Sequence, residues 1–317
     1  MHPLVARLHP SLRTAFFAWL IARVAVWAGS NVRLGRVFPD LSVAIGTPAY
    51  QALRSSAGLI PDGWGPLSLA VASELLLLFG VVALYRFARR DGVPQTADRA
   101  TWLWIACPAM LFAPAGSDWA FAYALVALAF GNVSHIAASS LLLATAVAFR
   151  PEAVLVWPGI AWIWWTLRSD SDPLVAAVVG TLAPLAFAAT VLGGILVSDP
   201  NTMLAGGFQL RQDLSWHGWE NHLGDCFVGA LLLGALLVAA RMARETPPAW
   251  LLVTLPVLAL AAVALPPLSG LAMIPLAIPL FVQLAKLAQD PNFERALLAS
   301  GIVALAFGTP SCFHAAV

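Results

Sequence analysis

The sequence predicts an all-α, polytopic integral membrane protein, organised as one transmembrane domain over residues 1–317. Three observations carry this. Hydrophobic residues make up 60% of the chain and charged residues only 10%, far outside the soluble globular range. Apolar runs recur from end to end, and no connection between them is long enough to bury a core of its own. The cations are shared unequally between alternate connections, as they are around membrane spans.

Eleven apolar segments, transmembrane or re-entrant, follow in order: roughly 14–30, 66–87, 101–114, 119–131, 136–149, 153–167, 173–197, 226–240, 249–265, 270–287 and 294–309. The first follows a basic stretch, MHPLVARLHPSLR, with no small-residue cleavage site, so it reads as a retained helix rather than a removed signal. The second is long and ends in Arg86, Arg89 and Arg90. The next three are shorter than the ~20 residues of a perpendicular span. Irregular backbone at membrane depth needs cover from protein or a wet cavity, so these short helices point to a cavity beside them. Ser117-Asp118 caps the helix that starts at Trp119. A tight turn from Gly131 to His135 reverses the chain, and Arg150-Pro151 opens the following segment with proline in its first turn. Asp118 and Arg150 therefore emerge on the same side. The remaining five segments are apolar runs between polar connections.

With the N-terminus cytoplasmic, eleven cations fall inside (Arg7, Arg13, Arg86, Arg89, Arg90, Arg99, Arg168, Arg241, Arg244, Lys286, Arg295). Five fall outside (Arg33, Arg36, Arg54, Arg150, Arg211), and Arg23 lies within the first segment. This bias sets the N-terminus in and Asp118 and Arg150 on the extracytoplasmic side. Two extracytoplasmic loops are long, about 31–65 and 198–225, and long loops in compact proteins tend to be functional. The net charge of +1 gives no reason to expect nucleic acid as a partner. The lipid bilayer is the expected surroundings. Cys107, Cys226 and Cys312 have neither metal nor redox spacing. No glycine-rich phosphate loop, nucleophile elbow or zinc motif is present.

Four constellations stand out. Asp118 reads either as a capping acid or as a carboxylate that binds a metal or acts as a base, and a capped acid is a positioned one. Arg150 reads as an interfacial arginine or, with its guanidinium fork, as a phosphate clamp. The clamp is favoured because Arg150 interrupts an apolar run on the acid-rich side. Trp216-His217-Gly218-Trp219-Glu220-Asn221-His222 reads first as an interfacial loop, since the two histidines lack the helical metal-pair spacing. Glu74, with Arg23, is one of the few charges inside an apolar segment, which makes it a functional candidate or a bundle hydrogen-bonding group.

Residues 66–170 resemble the GT-C superfamily of polytopic glycosyltransferases, most closely the PIG-V-like mannosyltransferases. The resemblance rests on the order and spacing of four places. Ala83-Leu84-Tyr85-Arg86-Phe87-Ala88-Arg89-Arg90 matches a basic "YRLARR" run. Phe112-Ala113-Pro114-Ala115-Gly116-Ser117-Asp118 matches an "SAPYTES"-like turn. Phe149-Arg150-Pro151-Glu152 matches "TRPTG", and Trp162-Ile163-Trp164-Trp165 an aromatic span end. The stretch from Phe208-Gln209-Leu210-Arg211 to Ser215-Trp216 and the span from Ser269 to Leu284 are looser matches. The chain departs from the family in three ways. No "WD" occurs in the first outside loop, whose acids are Asp40 and Asp62. Asp118 replaces the acid of the "TES" turn. Ala272 stands near the arginine of a "PRY" pattern.

The resemblance implies inverting transfer of a sugar, mannose in the closest members, from a polyprenyl-phosphate donor to an extracytoplasmic acceptor. Asp40, or else Asp62, would be the base. Arg150 and Arg211 would stabilise the leaving phosphate. Trp216, His217 and Trp219 would contact substrate. No metal ligand is assigned, although Asp118 and a first-loop acid would suit a divalent ion if they converged. Two alternatives stay open. One is an inactive GT-C-like subunit or scaffold working with a membrane protein partner. The other is a small-molecule transporter, against which stand the lack of an inverted repeat and the scarcity of charge in the spans.

Overall fold

The computed structural model describes residues 17, 20–21, 23–24, 48–61, 64–90, 94–107, 109–110, 113, 115–167, 252–254, 256–257 and 273–288. Every regular element among them is helical. In chain order these are α1 (Pro48–Gly58), α2 (Gly65–Arg90), α3 (Pro94–Ile105), α4 (Asp118–Gly131) and α5 (Ile136–Phe149). A 3₁₀ turn (Pro151–Val156) leads into α6 (Trp157–Leu167), and a second (Ile274–Leu276) precedes α7 (Ile278–Leu287). The expected segments 173–197, 226–240 and 294–309 lie outside the described residues.

Helix α2 has 26 residues and is, among the described residues, the one helix long and apolar enough to cross a membrane. At 1.5 Å per residue it is roughly 39 Å long. Val71, Leu75 and Phe79, spaced four apart and therefore on one face, are exposed. Helices α4, α5 and α7 are apolar but shorter.

Helix α4 is the centre of the bundle and is buried along most of its length. It runs parallel to α2, and small residues let the two backbones approach. A Cβ on Gly80 would lie 3.2 Å from Ala124 Cα and 3.3 Å from Ala127 Cβ. One on Gly131 would come within 2.6 Å of Ala83 Cβ. Phe87 and Phe130 pack beside this seam, ring centroids 5.1 Å apart. Helix α5 then returns antiparallel to α4, and Ser139 Oγ donates to Ala129 O at 2.8 Å across the hairpin. On another side α3 packs on α7. Trp104 Nε1 donates to Pro275 O at 3.0 Å, and Arg99 Nη1 to Ala288 O at 2.8 Å, just past the negative end of α7.

The expected helix 101–114 is displaced. Its helix, α3, starts earlier, at Pro94, and stops at Ile105, three residues before Pro108, whose ring disfavours helix in the residue before it. The break frees carbonyls, and Arg23 reaches across to them. Arg23 is 2% exposed, and its Nη1 donates to Met110 O at 3.3 Å and to Ala113 O at 2.7 Å. The same guanidinium pairs with Glu74 on α2. Glu74 is thus an ion-pair partner inside the bundle.

Candidate functional site

Helices α4 and α5 contain 14 residues each, so the start of one and the end of the other come level at the open end of the hairpin. Ser117 is the N-cap of α4, its hydroxyl accepting from Ala120 N–H at 3.2 Å. Asp118 is the first helical residue, where a carboxylate suits the positive end of the helix. Arg150 ends α5 in extended backbone, φ −143° and ψ 111°, the region to which a following proline restricts it. The extended residue turns the chain out of the helix, and its side chain reaches Asp118.

Arg150 Nε stands 2.9 Å from Asp118 Oδ2. The Nε–H is not aligned on that oxygen, so the contact is an ion pair by distance rather than a directed hydrogen bond. Asp118 Oδ1 accepts from Trp119 N–H at 2.9 Å. The guanidinium carbon lies 4.3 Å from the centre of the Trp119 ring, a cation–π contact. Glu152 Oε1 is 3.8 Å from Arg150 Nη1, and Glu152 Oε2 is buried with no hydrogen-bond partner among the described residues.

The turn before Asp118 is held from two sides. Gly116 has φ 75°, the left-handed region that favours glycine. Its N–H donates to Ser73 Oγ on α2 at 2.7 Å, and its carbonyl accepts from Tyr50 OH on α1 at 2.6 Å. Tyr50 also packs edge-on to Phe149, and Phe149 stacks on Phe121. Arg54, one turn further along α1, places its guanidinium carbon 5.6 Å from the Tyr50 ring centre. Ser73 lies eight residues into α2, so this turn meets α2 roughly 12 Å below its first residue. The cluster is recessed, with α1 packed beside it.

Burial dominates the electrostatics. It pushes the Asp118 carboxyl above its ordinary value against the opposing pull of Arg150. Glu152 is raised in the same way, and Asp118 adds to the effect. Burial first, then the Asp118 charge, push the Tyr50 phenol up to about 12, so at neutral pH it is a hydrogen-bond donor. Two carboxylates share one guanidinium, and they titrate as a coupled set. The Arg150 guanidinium lies where a divalent ion on Asp118 Oδ2 would have to sit, so the described residues do not fit a metal there.

Of the residues expected from sequence, Asp118 and Arg150 are brought together. Asp40, Asp62, Arg211, Trp216, His217 and Trp219 lie outside the described residues. Three members of the cluster were not expected in it: Tyr50, Arg54 and Glu152. Glu152 follows Arg150-Pro151 directly, and that adjacency was its signal. Tyr50 and Arg54 lie on a helix inside the 31–65 connection, marked by Pro48 before it and Gly58 at its end. No family model, curated protein or solved structure matches the chain.

Proposed function

We propose that the chain is a multi-pass membrane glycosyltransferase of the GT-C type that takes a sugar from a polyprenyl-phosphate donor. Its N-terminus is cytoplasmic in this reading, and the Asp118–Arg150 end faces the other side. A bundle of about eleven transmembrane or re-entrant helices is supported by the hydropathy of the whole sequence and by the exposed Val71, Leu75 and Phe79 stripe.

One observation carries the functional reading. A guanidinium, held by Asp118 and stacked on Trp119, lies in a recessed cluster beside the buried Glu152 Oε2, which has no hydrogen-bond partner among the described residues. A fifth of the Arg150 side chain is exposed, leaving it an edge for a ligand phosphate. In the proposed reaction the acceptor hydroxyl attacks the anomeric carbon and gives its proton to a carboxylate, Asp40 being the choice. The bond from that carbon to the phosphate oxygen breaks, and its electron pair stays on the phosphate, where Arg150 stabilises it. Asp118 is a positioning residue for Arg150.

The test is sugar transfer from polyprenyl-phosphate mannose in membranes, at matched protein levels. Wild type transfers, Asp40→Asn falls by on the order of 10²–10⁴, and Arg150→Ala loses donor use. Activity retained in Asp40→Asn removes Asp40 as the base. A second reading, a non-catalytic GT-C-like subunit with a membrane protein partner, is favoured by the engagement of both Asp118 oxygens in the resting fold. Absence of transfer by wild type from any polyprenyl donor selects it.

A further inference from the structure

Three charged side chains meet at the open end of the hairpin, and their charges do not balance. Asp118 and Glu152 supply two carboxylates, and Arg150 supplies the one guanidinium in ion-pair contact with them among the described residues. With all three ionised the cluster holds one negative charge in excess, although Asp118 is only 6% and Glu152 8% exposed. Burying an unmatched charge is costly, and neutralising it with a proton relieves the cost.

The geometry distinguishes the two carboxylates. Asp118 is matched on both oxygens, by Trp119 N–H at 2.9 Å and by Arg150 Nε at 2.9 Å. Glu152 has only the longer approach of Arg150 Nη1 to Oε1, at 3.8 Å, and its Oε2 is buried with no hydrogen-bond partner among the described residues. The Glu152 side chain is 11% exposed, which gives a proton access from solvent. Burial already holds this carboxyl above its ordinary value, against Arg150 and its own N–H, and Asp118 adds to the effect. The other titratable groups described around the cluster do not compete. Tyr50 on α1 and Tyr123 on α4 are phenols, uncharged at neutral pH. Arg54 on α1 acts on Tyr50 and on neither carboxylate, and Glu74 on α2 is matched by Arg23.

We propose that Glu152 is a positioning residue for the donor phosphate: it takes up a proton when an anion engages Arg150, and so leaves the guanidinium to that anion. The proposal rests on the reading of Arg150 as the phosphate contact. A phosphodiester brings one further negative charge to the cluster, and a proton on Glu152 offsets it. In the proposed transfer the need grows. Breaking the bond from the anomeric carbon to the phosphate oxygen turns a singly charged diester into a doubly charged monoester, while the proton of the acceptor hydroxyl goes to Asp40. A neutral Glu152 does not compete with that charge for Arg150. Affinity for the diester therefore rises as pH falls, until Glu152 is protonated in the free protein as well.

The test is isothermal titration of the full chain in detergent with citronellyl methyl phosphate, from about pH 5 to 9, in buffers of different ionisation enthalpy. This diester keeps a single charge across the range, so the exchanged protons belong to the protein. Wild type takes up close to one proton at the maximum, and its affinity falls by up to about tenfold per pH unit through that window. Glu152→Gln binds without proton uptake, and its affinity no longer depends on pH. In wild type alone, adding the diester raises a protonated-carboxyl band in infrared difference spectra, a readout independent of how the variant folds. Binding with no proton uptake at any pH, no gain of that band, or wild-type pH dependence in Glu152→Gln overturns the proposal and leaves Arg150 as the phosphate contact. Failure to bind the diester, or equal binding by Arg150→Gln, overturns the phosphate reading of Arg150 and this proposal with it.

Discussion

Arg150 Nε and Asp118 Oδ2 face each other at 2.9 Å across the open end of the α4–α5 hairpin. They are 32 positions apart in the chain, and two helices of the same length bring them level. The pair is mostly buried, and a third charge, Glu152, stands beside it.

Breaking such a pair from one side leaves a buried charge uncompensated. Arg150→Gln is expected to destabilise the solubilised protein by about 2–3 kcal/mol, below the value for a fully buried pair because part of Arg150 is exposed. The double variant Asp118→Asn/Arg150→Gln is expected to lose less than the sum of the two single changes, with a coupling of about 1–2 kcal/mol. Denaturation of the four proteins side by side measures it, and strict additivity would refute the pairing.

Gly116 carries both the left-handed backbone and the hydrogen bonds to Tyr50 and Ser73. Gly116→Ala is expected to cost about 1–2 kcal/mol from backbone strain alone. Tyr50→Phe removes one hydrogen bond, worth about 1 kcal/mol, while keeping the ring against Phe149. Thermal melts of the two variants compare them directly. A neutral Gly116→Ala would mean that the turn is not held in this conformation.

The α2–α4 seam leaves no room for a methyl group at Gly131. Gly131→Ala is expected to cost about 1–3 kcal/mol by overpacking. Adding Ala83→Gly removes the nearest of the three atoms it meets, Ala83 Cβ, but leaves Ala83 Cα and O at 2.9 Å, so no more than part of the loss is expected to be restored. A single variant as stable as wild type would contradict the close approach.

The Asp118 carboxyl is raised in the fold, by burial and against the pull of Arg150. The folded state therefore holds that proton more tightly than the unfolded chain does. The stabilising contribution is complete below the ordinary value of 3.8 and is lost as pH rises through the folded pKa. Arg150→Gln removes the opposing charge, so the folded pKa rises further and the window widens upward. The protonated carboxyl band in infrared spectra, isolated by subtracting the Asp118→Asn/Arg150→Gln spectrum, is expected to titrate at higher pH in Arg150→Gln than in wild type. A midpoint moved downward would reverse the assignment of causes.

Sidedness follows from the proposed membrane arrangement. Leu59, just past α1, is 84% exposed, and Gln95, at the start of α3, is exposed as well. In a background without native cysteines, Leu59→Cys is expected to react with an impermeant reagent on intact cells and Gln95→Cys only after lysis. Reaction of Gln95→Cys on intact cells would invert the orientation.

The hairpin was legible because both its helices are continuous apolar runs with polar punctuation. The expected 119–131 and 136–149 became Asp118–Gly131 and Ile136–Phe149. The placing of Asp118 and Arg150 at one end followed from the same reading. Helix α1 was not legible, because it mixes exposed and buried positions within a polar connection and hydropathy alone does not separate it from loop. Tyr50 was missed with it. The break after Ile105 was hidden for the opposite reason: apolar residues continue through Pro108 and Pro114, so the run looked unbroken although the backbone is not. Arg23 looked like an isolated charge because its partners are distant in sequence.

Arg23 also bears on how the N-terminal part of the chain can be processed. The first apolar segment follows a basic stretch, the pattern a signal-handling peptidase inspects, yet its arginine supplies hydrogen bonds to Met110 O and Ala113 O and the counter-charge to Glu74. Cutting that segment away would withdraw all three at once. The two carbonyls lie just upstream of Gly116, so the loss would be felt first in the turn that presents Asp118. A chain begun after residue 30 is therefore a different molecule at its centre, and Glu74 would enter its bundle as an unmatched acid.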